Sequence, residues 1–73
     1  MQTIQLQSIG KVEATEAINL KVGDVTVWNF GFTEEIIEVL KVTAKTRVLK
    51  IKSESGKFFE RRLKNDRLVG IKK

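Results

Sequence analysis

Basic side chains at alternating positions are the residues of this chain whose type and spacing could do chemistry. Lys50 and Lys52 share one face of any strand that contains them, because successive side chains of a strand point to opposite faces. A following strand, paired through a hairpin, would bring more cations to the same face. The candidate residues for binding nucleic-acid phosphates are Lys50, Lys52, Arg61, Arg62, Lys64 and Arg67.

Charge is distributed unevenly along the chain. Residues 1–40 contain two Lys or Arg against six Asp or Glu, a net charge of −4, whereas residues 41–73 contain twelve against three, a net charge of +9. The isoelectric point near 9.8 is typical of nucleic-acid-binding proteins. The alternative interpretation is that these cations only solvate an outer face and protect exposed strand edges.

Aromatic residues could add base stacking to phosphate binding. Stacking of a base on an aromatic ring contributes about 1–3 kcal/mol, and Trp28 and Phe32 are the candidates for this role. A small core also needs aromatic side chains, and we expect Trp28, Phe30 and Phe59 to lie there. Phe32 falls in a predicted loop and is equally compatible with the core and with base stacking.

Enzymatic chemistry finds little support in the sequence. The chain has no His and no Cys, so the usual zinc ligands, general bases and disulfides are missing. The acids Asp24, Glu34, Glu35 and Glu38 lack the spacing of a calcium loop, and no nucleophile or oxyanion site accompanies them. We therefore expect no catalytic residues, no metal site and no cofactor.

The length of 73 residues is that of one small domain, residues 1–73. Its N-terminal segment lacks the basic region and continuous apolar run of a signal peptide. No run approaches the roughly 20 apolar residues that span a bilayer. The absence of Cys is compatible with a reducing compartment. These features predict a cytoplasmic protein that is not inserted in a membrane.

Glycines divide the chain into pieces of strand length, which predicts an all-β fold. Residues 13–20 instead contain helix formers and a candidate cap, Thr15, which predict a short helical turn. The segment 53–57 is typical of a hairpin loop, with Gly56 available for a left-handed conformation. In the strand that follows, Phe59, Arg61 and Leu63 share one face, so an arginine must point towards apolar neighbours or past a sheet edge.

The segment 34–42 is compatible with two structures. As a helix it would have Thr33 as cap and two acids in its first turn. As a strand it has β-branched residues at Ile36, Ile37, Val39 and Val42, which favour a sheet. We favour the strand. Sheet pairing could then bring the segment 34–38 against Lys50 and Lys52 and neutralise part of the basic half.

The order of these elements resembles that of the SH3-like small barrels. The resemblance is carried by Leu20–Val25 (Leu-Lys-Val-Gly-Asp-Val), by Trp28–Gly31 and by Asn65–Val69 (Asn-Asp-Arg-Leu-Val), and it covers residues 20–71. Such barrels include the KOW and Tudor-type modules and many small uncharacterised bacterial or phage proteins. The resemblance implies a barrel of about five strands preceded by an extension, residues 1–19. The absence of Tyr argues against a Tudor-like aromatic cage.

The expected function is that of a non-enzymatic binding module. Its basic face would engage nucleic-acid phosphates with little sequence preference, because backbone contacts position a protein without reading bases. The alternative is a protein-interaction or assembly module. In that case the acidic first half of one subunit would meet the basic second half of another, or an exposed strand edge would pair with a partner.

Overall fold

Seven strands form one antiparallel sheet in the computed structural model, which describes residues 2–72. The strands are β1 (Gln2–Leu6), β2 (Gly10–Glu16), β3 (Val25–Val27), β4 (Thr33–Val42), β5 (Thr46–Ser53), β6 (Phe58–Lys64) and β7 (Leu68–Lys72). Their order in the sheet is β1-β2-β7-β3-β4-β5-β6, and over residues 2–72 the sheet is not closed. The predicted all-β class is confirmed, with β1 and β6 as the two terminal strands.

The N-terminal segment differs from the prediction. Residues 20–71 contain five strands, β3 to β7, but the preceding residues add two more. Residues 13–16 lie in β2, and the helical turn is a 3-10 turn limited to Ala17–Asn19. Thr15 does not cap it, because Thr15 lies in β2 opposite Val69 of β7. Pairing with β7 overrides the helix propensity of this segment.

The segment 34–42, which was compatible with a helix or a strand, lies in the strand β4, as its β-branched residues indicated. β4 pairs with β5 and places Glu35 opposite Lys52 and Glu38 opposite Lys50. The predicted pairing of these acids with the basic strand is confirmed. Two register shifts, between Ile36 and Glu38 and again before Lys41, interrupt the regular alternation of side chains along β4.

A single cluster of buried apolar side chains forms the core. Its members are Ala17, Leu20, Ile36, Leu49, Ile51, Leu63 and Val69. Trp28 is half-buried and packs against this cluster, so its predicted core position is confirmed. The core positions predicted for Phe30 and Phe59 are wrong, since these side chains are 62% and 52% exposed. Phe30 lies in a second 3-10 turn, Asn29–Gly31, with a φ of +66°. Phe59 lies on a terminal strand that no further strand of the described residues covers.

Close packing of β7 between β2 and β3 fixes the end of β3. Gly70 of β7 lies opposite Ala14 of β2 and Val27 of β3. A Cβ atom at Gly70 would lie 2.8 Å from the carbonyl oxygen of Val27 and 3.0 Å from a methyl group of Val12. Only glycine allows this approach. The next residue after Val27 is Trp28, which packs against the core cluster.

No helix within residues 2–72 is long and apolar enough to cross a bilayer.

Candidate nucleic-acid interface

Arg61 lies on β6 opposite Leu49 and is engaged within the fold. Its Nε and Nη2 atoms donate hydrogen bonds to the two carboxylate oxygens of Glu34, at 2.7 and 2.6 Å. The Arg61 side chain is 36% exposed and that of Glu34 only 13%. A bidentate, partly buried pair of this kind is strong and geometrically specific. The charge of Arg61 is therefore compensated within the chain.

Trp28 lies beside the Arg61–Glu34 pair, in contact with the arginine and linked through Thr26 to the strand that carries Glu34. Its indole Nε1 donates a hydrogen bond to Thr26 Oγ1 at 2.9 Å, and that hydroxyl donates to the carbonyl oxygen of Glu34 at 3.2 Å. The guanidinium carbons of Arg61 and Arg67 lie 4.3 and 5.5 Å from the centroid of the indole ring. Both distances are within the range of cation–π attraction. A base could stack on Trp28 only by competing with these two cations.

Phe32, the second candidate for base stacking, lies immediately before β4. Its side chain is 63% exposed, so a base could reach the ring. Phe32 and Lys41 are at opposite ends of β4, about 30 Å apart at the usual rise of about 3.3 Å per residue. Stacking on Phe32 would therefore occur far from any cation near the β4–β5 turn.

Lys50 and Lys52 project from β5 among acidic and aromatic neighbours. Lys50 lies between Glu38 of β4 and Glu60 of β6, and its Nζ atom is 5.2 Å from the centroid of the Phe58 ring. Lys52 lies between Glu35 and Phe58. Opposite charges on directly opposed residues attract, so these two lysines present less free positive charge than their sequence spacing indicates.

Arg62 and Lys64 have a different environment, at the other end of the same strands. Arg62 lies opposite Val48, which in turn lies opposite Lys41, and Lys64 lies opposite Thr46. In the described residues, no carboxylate occupies these cross-strand positions. Together with Lys45 in the adjoining turn, these residues form what we call the basic end patch. Its members, all exposed, are Lys41, Lys45, Arg62 and Lys64.

Asn65 holds the two turns of the basic end patch together. Its Nδ2 donates hydrogen bonds to the carbonyl oxygens of Thr43 and Ala44, at 3.1 and 3.2 Å, and its backbone N–H donates to Lys45 O at 2.8 Å. Arg47 Nε donates to Asn65 Oδ1 at 3.3 Å. The turn before β5 is thereby fixed beside the turn after β6, which places Lys45 near Lys64.

A shallow cavity of about 500 Å³ lies between these turns. It is lined by Ala44, Lys45, Thr46, Lys64, Asn65 and Asp66. Asp66 is its one acidic lining residue, so the cavity combines two cations with one carboxylate and several polar groups. Lys45 and Lys64 could contact a small anionic group, such as a phosphate, at this surface.

Sequence reasoning identified Arg62 and Lys64 but missed Lys41, Lys45 and Asn65. The face of Lys41 depends on the two register shifts in β4, which the spacing of apolar residues does not reveal. Lys45 could have been found from the sequence, because residues 43–46 (Thr-Ala-Lys-Thr) lie between two segments of strand length and are typical of a turn. The role of Asn65 depends on the approach of two turns that are 20 residues apart in the chain.

Among residues 2–72, no group of three or more carboxylates is placed to hold a metal ion. No protein-family model matches the chain, and neither a curated protein nor a solved structure matches it. Function is therefore inferred from the residues of the chain itself.

Proposed function

We propose that this chain is a non-enzymatic module that binds nucleic-acid phosphates through the basic end patch. The observation that carries the proposal is the grouping of four exposed cations at one end of β4, β5 and β6, with no carboxylate opposite them in the described sheet. Each phosphate that a cation neutralises releases counterions, and this release drives binding.

The other predicted cations have secondary roles in this proposal. Arg61 is paired with Glu34, Arg67 lies over Trp28, and Lys50 and Lys52 lie beside carboxylates. They raise the general positive potential that attracts a polyanion but make fewer direct contacts. Phe32 is too distant from the patch to add base stacking to the same contact, which supports binding with little sequence preference.

We also infer that β3 to β7 have the architecture of an SH3-like barrel that is left open at β6, with β1 and β2 as its extension. Support comes from the core, in which Leu63 of β6 and Val69 of β7 belong to one cluster with Ala17. The 3-10 turn at Ala17 also bonds to the segment that joins these strands, since the backbone N–H groups of Ala17 and Ile18 donate to Arg67 O and Asn65 O at 2.9 and 3.0 Å.

The proposal is tested by titrating the protein into labelled single-stranded and double-stranded oligonucleotides at about 50 and 200 mM salt. Four phosphate contacts on duplex DNA give a logarithmic salt slope of about −3.6, so affinity should fall about a hundredfold over this range. Oligonucleotides of equal length and different sequence should bind alike. Absence of binding at the lower salt concentration, or binding that salt leaves unchanged, would exclude the proposal.

A further inference from the structure

β6 is a terminal strand of the sheet, so within residues 2–72 no other strand pairs with its outer edge. It also carries two exposed aromatic side chains, Phe58 at 56% and Phe59 at 52%. Terminal strands offer unpaired backbone groups to other chains, and many proteins prevent such pairing with like charges on the edge. The charges on β6 are of both signs, because Glu60 precedes Arg61 and Arg62.

Two hydrogen bonds show which backbone groups of β6 face the open edge. The N–H of Ser53 donates to Lys57 O, and the N–H of Asn65 donates to Lys45 O, both at 2.8 Å. These bonds lie at the two ends of the β5–β6 ladder, in which bonded and non-bonded pairs alternate. Odd-numbered residues of β6 therefore bond to β5. The residues whose N–H and C=O groups face outward are Phe58, Glu60, Arg62 and Lys64.

We propose that β6 pairs antiparallel with β6 of a second copy of this chain, in a register centred on Arg61. This inference does not rest on nucleic-acid binding, but the dimer engages Arg62 and Lys64 of the basic end patch, so nucleic acid would compete with the second copy for these two side chains. The register places each outward-facing residue opposite another outward-facing residue, so that each such pair can exchange two backbone hydrogen bonds. The cross-strand pairs are Phe58 with Lys64, Phe59 with Leu63, and Glu60 with Arg62, each formed twice.

Charge complementarity supports a second copy of this chain as the partner, and it supports this register. Each Glu60 lies opposite Arg62 of the second copy, which is a favourable cross-strand pair. Each Lys64 lies opposite the exposed ring of Phe58, an arrangement that allows cation–π attraction. On the other face, the exposed Phe59 lies opposite Leu63, whose own side chain is buried in the core. The edge is therefore complementary to itself, as a two-fold interface requires.

Neighbouring registers are less favourable. A shift by two residues in one direction centres the pairing on Glu60 and opposes two carboxylates. A shift in the other direction places Glu60 opposite Lys64, but it opposes two Arg62 side chains and leaves Phe58 and Phe59 with no strand residue opposite them. Like charges in directly opposed positions are destabilising. In the proposed register the central pair is Arg61 with Arg61, and each of these guanidinium groups is already paired with Glu34 of its own chain.

The test measures the dimer dissociation constant by sedimentation equilibrium for the wild type, Glu60→Arg, Arg62→Glu and the double variant. Each single change replaces two attractive pairs with two repulsive ones and should weaken the dimer about tenfold or more. The double variant exchanges the charges and should restore the dimer to within about threefold. Lys11→Glu, an exposed change on β2, is the matched control and should have no effect.

Amide hydrogen exchange of the wild-type protein gives a second test that needs no variant. Protection of the amides of Phe58, Glu60, Arg62 and Lys64 should rise with protein concentration, in step with dimer formation. The proposal is overturned by a monomer at all concentrations, by assemblies larger than two, by dimers insensitive to both single changes, by a double variant that is folded yet not restored, or by unprotected amides in the dimer.

Discussion

Arg61 joins three parts of the molecule through one side chain. From β6 it pairs with Glu34 of β4 and lies over Trp28, which follows β3. Because these strands are adjacent to the core cluster, the guanidinium group acts as a polar cover for that cluster. Cations of this type are expected to contribute to folding more than to ligand binding.

Replacing Arg61 with Ala should lower the free energy of unfolding by about 1–2 kcal/mol, a value reduced for the partial exposure of the arginine. The change leaves the largely buried Glu34 carboxylate without its partner and uncovers one face of Trp28. Urea denaturation followed by the fluorescence of Trp28, the single tryptophan, measures the loss. Arg62→Ala, the exposed neighbour, should change stability by less than about 0.5 kcal/mol. Equal losses in both variants would show that the contacts of Arg61 with Glu34 and Trp28 are not stabilising.

Residue spacing predicted part of this arrangement. Alternation along β6 placed Arg61 on the same face as Phe59 and Leu63 and so indicated an inward-facing arginine. Its partners could not be predicted, because Glu34 and Trp28 are 27 and 33 positions away in the chain. Phe59 illustrates the opposite case, since an apolar residue on the inner face stays exposed when no neighbouring strand covers it.

Turns determine which elements of this fold lie together. The β5–β6 turn reaches back to the start of β4, where the hydroxyl and the backbone N–H of Thr33 donate hydrogen bonds to Glu54 Oε1 at 2.8 and 3.0 Å. These bonds, led by that from the hydroxyl, hold the pKa of Glu54 below its ordinary value, with a smaller contribution from Lys72. Hydrogen bonds to the carboxylate favour its ionised form.

Stability should therefore fall in acid partly through Glu54. A folded-state pKa below the unfolded value of about 4.3 means that the stabilisation is fully present above about pH 4.3 and is lost as the pH falls through the lower folded value. Glu54→Gln should be less stable than the wild type near neutral pH, and the difference should shrink in acid. Urea denaturation across this range measures the effect, and carboxyl NMR measures the pKa. A Glu54 that titrates at its ordinary value would contradict this explanation.

At the scale of elements, the positions of several strands and turns were predicted better than the number of strands, which is seven where about five were expected. The hairpin at residues 53–57 and the strand over residues 34–42 follow from glycine and β-branched residues. The alternation of Ile4 and Leu6 with glutamines predicts the first strand, but β2 was not predicted, because residues 13–16 have helix propensity and become a strand through pairing with β7, a partner more than 50 residues away. Local propensity contains no information on such a pairing.

In the folded molecule, positive and negative side chains are less separated from one another than they are along the sequence. Antiparallel pairing of β4 with β5 places acids of the first half beside Lys50 and Lys52 of the second. At the far end of these strands lies the basic end patch, whose cations have no carboxylate in the cross-strand positions of the described sheet and whose two turns are joined by Asn65. The sequence predicted a basic half, whereas the register and bulges of β4 determine where on the surface that charge is free.

Two double variants that remove the same formal charge should therefore differ in nucleic-acid binding. Lys41→Gln with Lys45→Gln removes two members of the basic end patch and should reduce the logarithmic salt slope by about two. Lys50→Gln with Lys52→Gln removes lysines that lie beside carboxylates and should reduce the slope by less than one. Titration of one labelled duplex at several salt concentrations measures both slopes. Equal reductions would mean that net charge alone governs binding and that the patch has no special role.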